Sequence, residues 1–394
     1  MRSLGGLLAL VAVLAGAPTA AALDADQVRS RVTDALRQAG PATGAYAVDL
    51  DDGRSIVAVR EGSGRIPASV EKLFVTSSAL LRWGPDHQLT TRVLGASELD
   101  EDGRLEGNIW LVGGGDPTLT DSHLAQLAAD VRRNGLRSVT GGVRADDSLF
   151  DRRRGTPRTS FAPDSDLGGR LGALLVGRGF QVDPARHAAK RFAKLLRAQG
   201  VQVTGRTGMG RAPGDAFELG AMPSPPIRDL IRATNVPSDN FYAEMLLKGL
   251  GAAFSGARGT TGSGAQVVIG TLDRAGVTPV IVDGSGLSRS NSTTPREVVR
   301  LFDYMDEQPD ARIWRRSLAV AGRDGTLHDR MRGTPAAGRC RGKTGTIIGV
   351  SNLVGICDTP GGRVAFAWLM NGVDPYGARR LQDRMTAALA RYEG

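Results

Sequence analysis

A chain of 394 residues, 41% apolar and 23% charged, has the balance of an ordinary globular protein and the length for two domains of roughly 150 residues each. Its 50 basic and 41 acidic residues leave a formal charge of +9, but the excess is dispersed, which fits a solvated, arginine-rich surface. Arg152-Arg153-Arg154 is short and has no interleaved aromatics, so a nucleic-acid partner is not expected.

Residues 1–22 read as a secretory signal: Arg2 gives the positive start, Leu4 to Ala15 is largely apolar, and Ala20-Ala21-Ala22 offers small residues for cleavage. No cysteine follows the apolar run to carry a lipid, and no second apolar run of about 20 residues occurs, so an exported protein without a stable transmembrane segment is expected. Val28, Val32 and Leu36 repeat at helical spacing over 25–39, and Gly40-Pro41 ends that helix. Two strand-like runs, 45–50 and 55–59, flank the turn Asp51-Asp52-Gly53. A helix follows from about 70 to 83, stopped by Gly84-Pro85.

Residues 96–184, rich in Gly, Arg and Asp with short strands such as 108–112, read as an inserted domain. The remainder, 23–95 and 185–394, forms one discontinuous catalytic domain. A helix over about 184–199 and the strand Val201-Gln202-Val203 lead back to it, and a helical part surrounds Ser238. Strands are predicted at about 339–347, 350–358 and 362–371, and a closing helix at about 376–391. The first two strands form a hairpin turning at Ile348-Gly349. That turn sets Cys340 opposite Cys357, and export permits a disulfide between these, the only two cysteines.

Three short motifs carry the chemistry: Ser69-Val70-Glu71-Lys72, Ser238-Asp239-Asn240 and Lys343-Thr344-Gly345-Thr346. Two of the chain's five lysines (Lys72, Lys190, Lys194, Lys248, Lys343) fall inside them. Ser69 and Lys72 share a helical face. A serine needs a proton acceptor to attack a carbonyl, and a lysine serves only when burial or a like charge, here Lys343, lowers its pKa. Ser238 reads as a proton relay, and Asn240 as a donor to a substrate amide that also steadies Lys72. Lys343, Thr344 and Thr346 suit a substrate carboxylate, Gly345 marks close backbone approach by a ligand on a strand, and the N–H groups of Ser69 and Thr346 suit an oxyanion. Alone, the first two motifs read more readily as helix caps. A phosphate loop over Gly338–Thr344 fails, with three residues between its glycines where four are needed. His87, His123, His187 and His328 lie in unlike contexts with no Gly-x-Ser-x-Gly elbow, and no metal-ligand spacing occurs.

In this order the motifs resemble the D-alanyl-D-alanine carboxypeptidase/endopeptidase family of class C, low-molecular-mass penicillin-binding proteins (peptidase family S13). Gly113–Thr120, Ser238–Glu244, Asp283–Arg289, Ala321–Leu327 and Gly342–Thr346 extend the likeness over nearly the whole chain. The resemblance implies an α/β (α+β) penicillin-recognising, β-lactamase-like fold: a five-stranded antiparallel sheet flanked by helices, beside an all-helical part. It implies acyl transfer through Ser69 with Lys72 as base on D-Ala-D-Ala peptidoglycan stem peptides, acylation by β-lactam antibiotics, no cofactor, and work on the periplasmic or extracellular side of a bacterial membrane. Val70 replaces an asparagine found in some members. The Ser69–Ser238 interval is short for the family, so one of its usual inserted subdomains is expected to be missing. Alternatives on the same fold are a β-lactamase or D-esterase, or a non-catalytic binder of wall peptide. No Glu-x-x-x-Asn deacylation segment is present to favour the β-lactamase.

Overall fold

The computed structural model describes residues 21–394. The expected signal segment lies, but for its last two residues, outside the described residues.

The two ends of the chain build one sheet. The hairpin of Thr43–Asp49 and Ser55–Val59 pairs through its first strand with Gly362–Asn371, and the sheet continues through Val350–Thr359 and Cys340–Ile347. All these neighbours are antiparallel, as expected. The sheet has six strands rather than five, because Ala319–Val320 pairs with Gly342 and Arg341 at the outer edge of Cys340–Ile347. Two residues are too few to show the alternation by which a strand is read in sequence.

Val364 to Met370 are all buried because helices cover both sheet faces. Phe366, Trp368 and Met370 pack with helices Ala25–Ala39 and Pro375–Leu389; Ala365, Ala367 and Leu369 pack with Lys72–Trp83 and Pro295–Asp306. The first helix starts where Asp24 and Gln27 cap its N-terminus reciprocally. On the second face the core runs on into an all-helical part, where Ile227–Asn235, Asn240–Phe254 and Thr261–Leu272 surround Lys72–Trp83.

A second body has its own core, built on a five-stranded mixed sheet ordered Phe217–Pro223, Thr90–Gly95, Ile109–Val112, Val143–Asp146 and Gly208–Met209. Helices Asp121–Arg133 and Pro184–Ala198 contribute to that core. A small parallel sheet of Arg104–Leu105, Ser138–Val139 and Gln202–Val203 extends it. The sheet reaches past the expected limits of 96–184 on both sides. Its first strand pairs with its last, Gly95 with Phe217 and Thr90 with Pro223, outside the glycine-rich stretch noted in the sequence.

The hairpin register sets Cys340 opposite Cys357, and the two form a disulfide. Among the described residues no helix is long and apolar enough to cross a membrane. The bond closes a loop of sequence separation 17, for which the chain-entropy account gives about 3 kcal/mol. The double variant Cys340→Ser/Cys357→Ser is therefore expected to lose about 3 kcal/mol in urea unfolding, and a loss under about 1 kcal/mol would contradict that account.

Candidate active site

Pro67 and Ala68 deliver the chain into a 3-10 turn, Ala68–Glu71, which passes into the helix Lys72–Trp83. In a 3-10 turn the side chains at i and i+3 eclipse. That places the Lys72 amine 2.8 Å from the Ser69 hydroxyl. The second partner of Lys72 is the Ser285 carbonyl, which accepts from it at 2.5 Å.

The turn is fixed from three sides. Asn352 donates to the carbonyls of Ile66 and Pro67, at 3.0 and 2.7 Å. Gly345 lies so close beneath that a Cβ there would sit 2.4 Å from the Pro67 carbonyl oxygen. Gly286, at φ +82°, crosses on the other side, where a Cβ would meet the Ala68 oxygen at 1.9 Å. The strand glycine thus marks a close backbone approach, as expected, but what approaches is the nucleophile turn itself.

Ser238 lies between two helices at φ 65°, in the left-handed region. Asp239, not Ser238, caps the next helix by accepting from Tyr242 N at 3.0 Å. Arg178 of the inserted body grips the same carboxylate with two bonds of 2.9 and 3.0 Å. Ser238 is left to accept from the Lys343 amine at 2.8 Å. Lys343 also donates to the Thr344 carbonyl at 2.9 Å, and the Thr344 hydroxyl donates to Thr326 at 2.9 Å.

Ser69, Ser238, Thr344 and Thr346 line one cleft of about 490 Å³ between sheet and helical part, with Thr326, Arg330, Arg379 and Arg380 on its outer wall. Asn240 lies in the adjoining cleft of about 760 Å³, which Thr346 also lines. Its amide donates to the Asp166 carbonyl at 2.6 Å, and the expected bond to Lys72 is not made. Asp239 takes the cap, so Asn240 becomes the first helical residue and its side chain turns to the inserted body; the Ser285 carbonyl supports Lys72 instead.

Both amines are fully buried. Burial lowers Lys72 to about 8, against the opposing pull of Asp283 and Glu244. Burial, with the positive charge of Lys72 added to it, pushes Lys343 well below its ordinary value. Of the two expected causes, burial is thus the main one for Lys72. Sequence reasoning assigned no role to the carboxyls behind Lys72: Glu71, Glu244 and Asp283, all buried. Glu244 and Asp283 lie in two of the stretches that carry the family resemblance, which was the available signal. Arg178 had none, being 61 positions from its partner. Among the described residues no group of three or more His, Cys, Asp or Glu side chains is arranged to hold a metal ion.

The model of the D-Ala-D-Ala carboxypeptidase 3 (S13) family matches residues 25–166 and 176–392. This chain belongs to that family. Among its relatives, the D-alanyl-D-alanine carboxypeptidase of Actinomadura sp. (strain R39) is 31% identical, over 90% of this chain and 82% of the relative. Carboxypeptidase DacB of Mycolicibacterium smegmatis is 30% identical, over 82% and 75%. The crystal structure of penicillin binding protein 4 (dacB) from Haemophilus influenzae shares the S13 chain's fold with a TM-score of 0.81 at 20% identity, covering 92% of this chain and 99% of that one.

The packing of Gly345 on Pro67 yields a test. Gly345→Ala forces the turn off the strand, and a misplacement of about 1 Å at a reacting group costs on the order of a hundredfold. Acylation of Gly345→Ala by a labelled penicillin is expected to slow by at least about tenfold with the circular dichroism spectrum retained. An unchanged rate would show that the contact does not position Ser69.

Proposed function

We propose that this serine DD-peptidase works through Ser69, with Lys72 as its base, on peptidoglycan stem peptides ending in D-Ala-D-Ala. The observation that carries this reading is the 2.8 Å contact of the Ser69 hydroxyl with a fully buried amine that burial holds near neutrality. As a free amine Lys72 takes the Ser69 proton while Oγ attacks the carbonyl of the penultimate D-Ala. The N–H groups of Ser69 and Thr346 hold the oxyanion, a contribution of about 3–4 kcal/mol per donor in the best-studied case.

Lys343 and Ser238, joined by their 2.8 Å bond, pass a proton to the leaving amine. Lys343, with the Thr344 and Thr346 hydroxyls, meets the terminal carboxylate; an arriving anion favours the ammonium form that burial disfavours in the empty site. Water then releases the acyl group. Asn240, on the rim beside Thr346, binds the peptide amide. The same attack on D-Ala cross-links would give endopeptidase action besides release of terminal D-Ala. β-Lactam antibiotics acylate the same serine. The chain is exported, its leader falling in residues 1–22, and the inserted domain runs from about Thr90 to Pro223.

Purified protein is expected to release D-Ala from an acyl-D-Ala-D-Ala peptide and to cut cross-linked muropeptides, with products identified by mass. Ser69→Ala is expected to lower both rates by at least about a thousandfold, the scale seen when a serine nucleophile is removed. Full activity in that variant would end the assignment. Rapid turnover of penicillin, in place of a stable penicilloyl-enzyme, would favour a β-lactamase.

A further inference from the structure

Glu71 stands between Ser69 and Lys72 in sequence, and the mechanism above gives it no task. It is fully buried, and neither carboxyl oxygen has a hydrogen-bond partner among the described residues. The two neighbouring buried carboxyls are served differently. Asp283 accepts from Gly286 N at 2.8 Å, Ser288 N at 2.7 Å and the Asn291 amide at 2.8 Å. Glu244 accepts from Ser285 N at 2.8 Å through one oxygen, and its other oxygen has no partner.

A buried carboxylate with no donors is far costlier than a buried carboxylic acid. Of these three groups Glu71 therefore has the strongest claim on a proton. The charged and titratable groups that face it are Asp283, Glu244 and Glu297, which oppose its ionisation, and Lys72, which alone favours it. Burial and the acidic neighbours prevail and push Glu71 well above its ordinary value.

We propose that Glu71 is a positioning residue for the base: it is held as an uncharged carboxylic acid next to Lys72 in the chain, and by keeping that proton it spares Lys72 one more counter-ion and eases its passage to the free amine. The inference rests on the reading of Lys72 as the base. A Glu71 acid with a Lys72 amine, and a Glu71 carboxylate with a Lys72 ammonium, hold the same number of protons. They differ only in where one proton sits. In water the ordinary values of 4.5 and 10.5 put the ion pair far ahead. Here the carboxylate has no donor to receive it, so the neutral pair gains, and no proton need leave for solvent.

The test is thermal unfolding of wild type, Glu71→Gln and Glu71→Met as a function of pH. A carboxyl whose pKa is higher folded than unfolded keeps a proton that the unfolded chain has released. Its contribution to stability therefore falls as pH rises from the unfolded value, near 4.5, toward the folded one. Both variants abolish that slope, so their melting temperatures should gain on wild type progressively as pH rises above about 5. A difference that stays constant with pH in both variants would mean mere packing, and one that turns against the variants would mean an ionised, stabilising Glu71. Either result overturns the proposal.

A second readout is the pH dependence of acylation by a labelled penicillin. In Glu71→Gln its acid limb should stay within about half a pH unit of wild type, because one neutral group replaces another. A larger shift to lower pH would show that a negative charge had been removed from beside Lys72, and would overturn the proposal. If the melting result holds while Lys72→Arg acylates normally, Glu71 keeps its proton and the base assignment is what fails.

Discussion

The site depends on the desolvation of one amine. Lys72 is wedged between the Ser69 hydroxyl and the Ser285 carbonyl with no water-exposed surface, and a charge there is expensive. The surrounding structure enforces that position. A 3-10 turn eclipses the two side chains, Asn352 ties the turn to the sheet, and two glycines let backbone press on it from opposite sides. A looser turn would admit water and return the amine's pKa toward its ordinary value. The packing of the turn and the acid–base chemistry of the serine are thus one constraint.

The inserted body contributes to the same constraint from a distance. Arg178 fixes the Asp239 carboxylate, which lets Ser238 stand in a left-handed conformation facing Lys343. Asp166 engages Asn240, and Asp151 pairs with Lys248, a buried lysine of the same helix. All three contacts fall on or beside the helix that begins at Asn240. These contacts hold the start of that helix, beside which the second serine meets the second amine.

Much of this was legible in the sequence because it is local. The spacing of Ser69 and Lys72, the hairpin whose turn sets Cys340 against Cys357, and the helix over Ala25–Ala39 each follow from neighbouring residues. What was not legible depends on partners remote in sequence. Asn240 reads as a support for Lys72 until Asp239 is seen to take the cap and Asp166 the amide. Gly345 reads as an opening for a ligand until Pro67 is seen against it. Glu71 carries no reading of its own in the sequence, since nothing near it tells that both its oxygens will be buried without a partner. The two-residue edge strand and the pairing of Thr90–Gly95 with Phe217–Pro223 were missed for the same reason: each joins distant segments.

The most direct measurement is a titration of the Lys72 side chain by nuclear magnetic resonance, with lysine labelled at Cε. The chain has only five lysines, so the signals are few and Lys72→Arg assigns the one that matters. The account predicts a midpoint at about 8 for Lys72. A midpoint at the ordinary 10.5 would mean that the amine is charged whenever the serine must react, and would contradict the central claim.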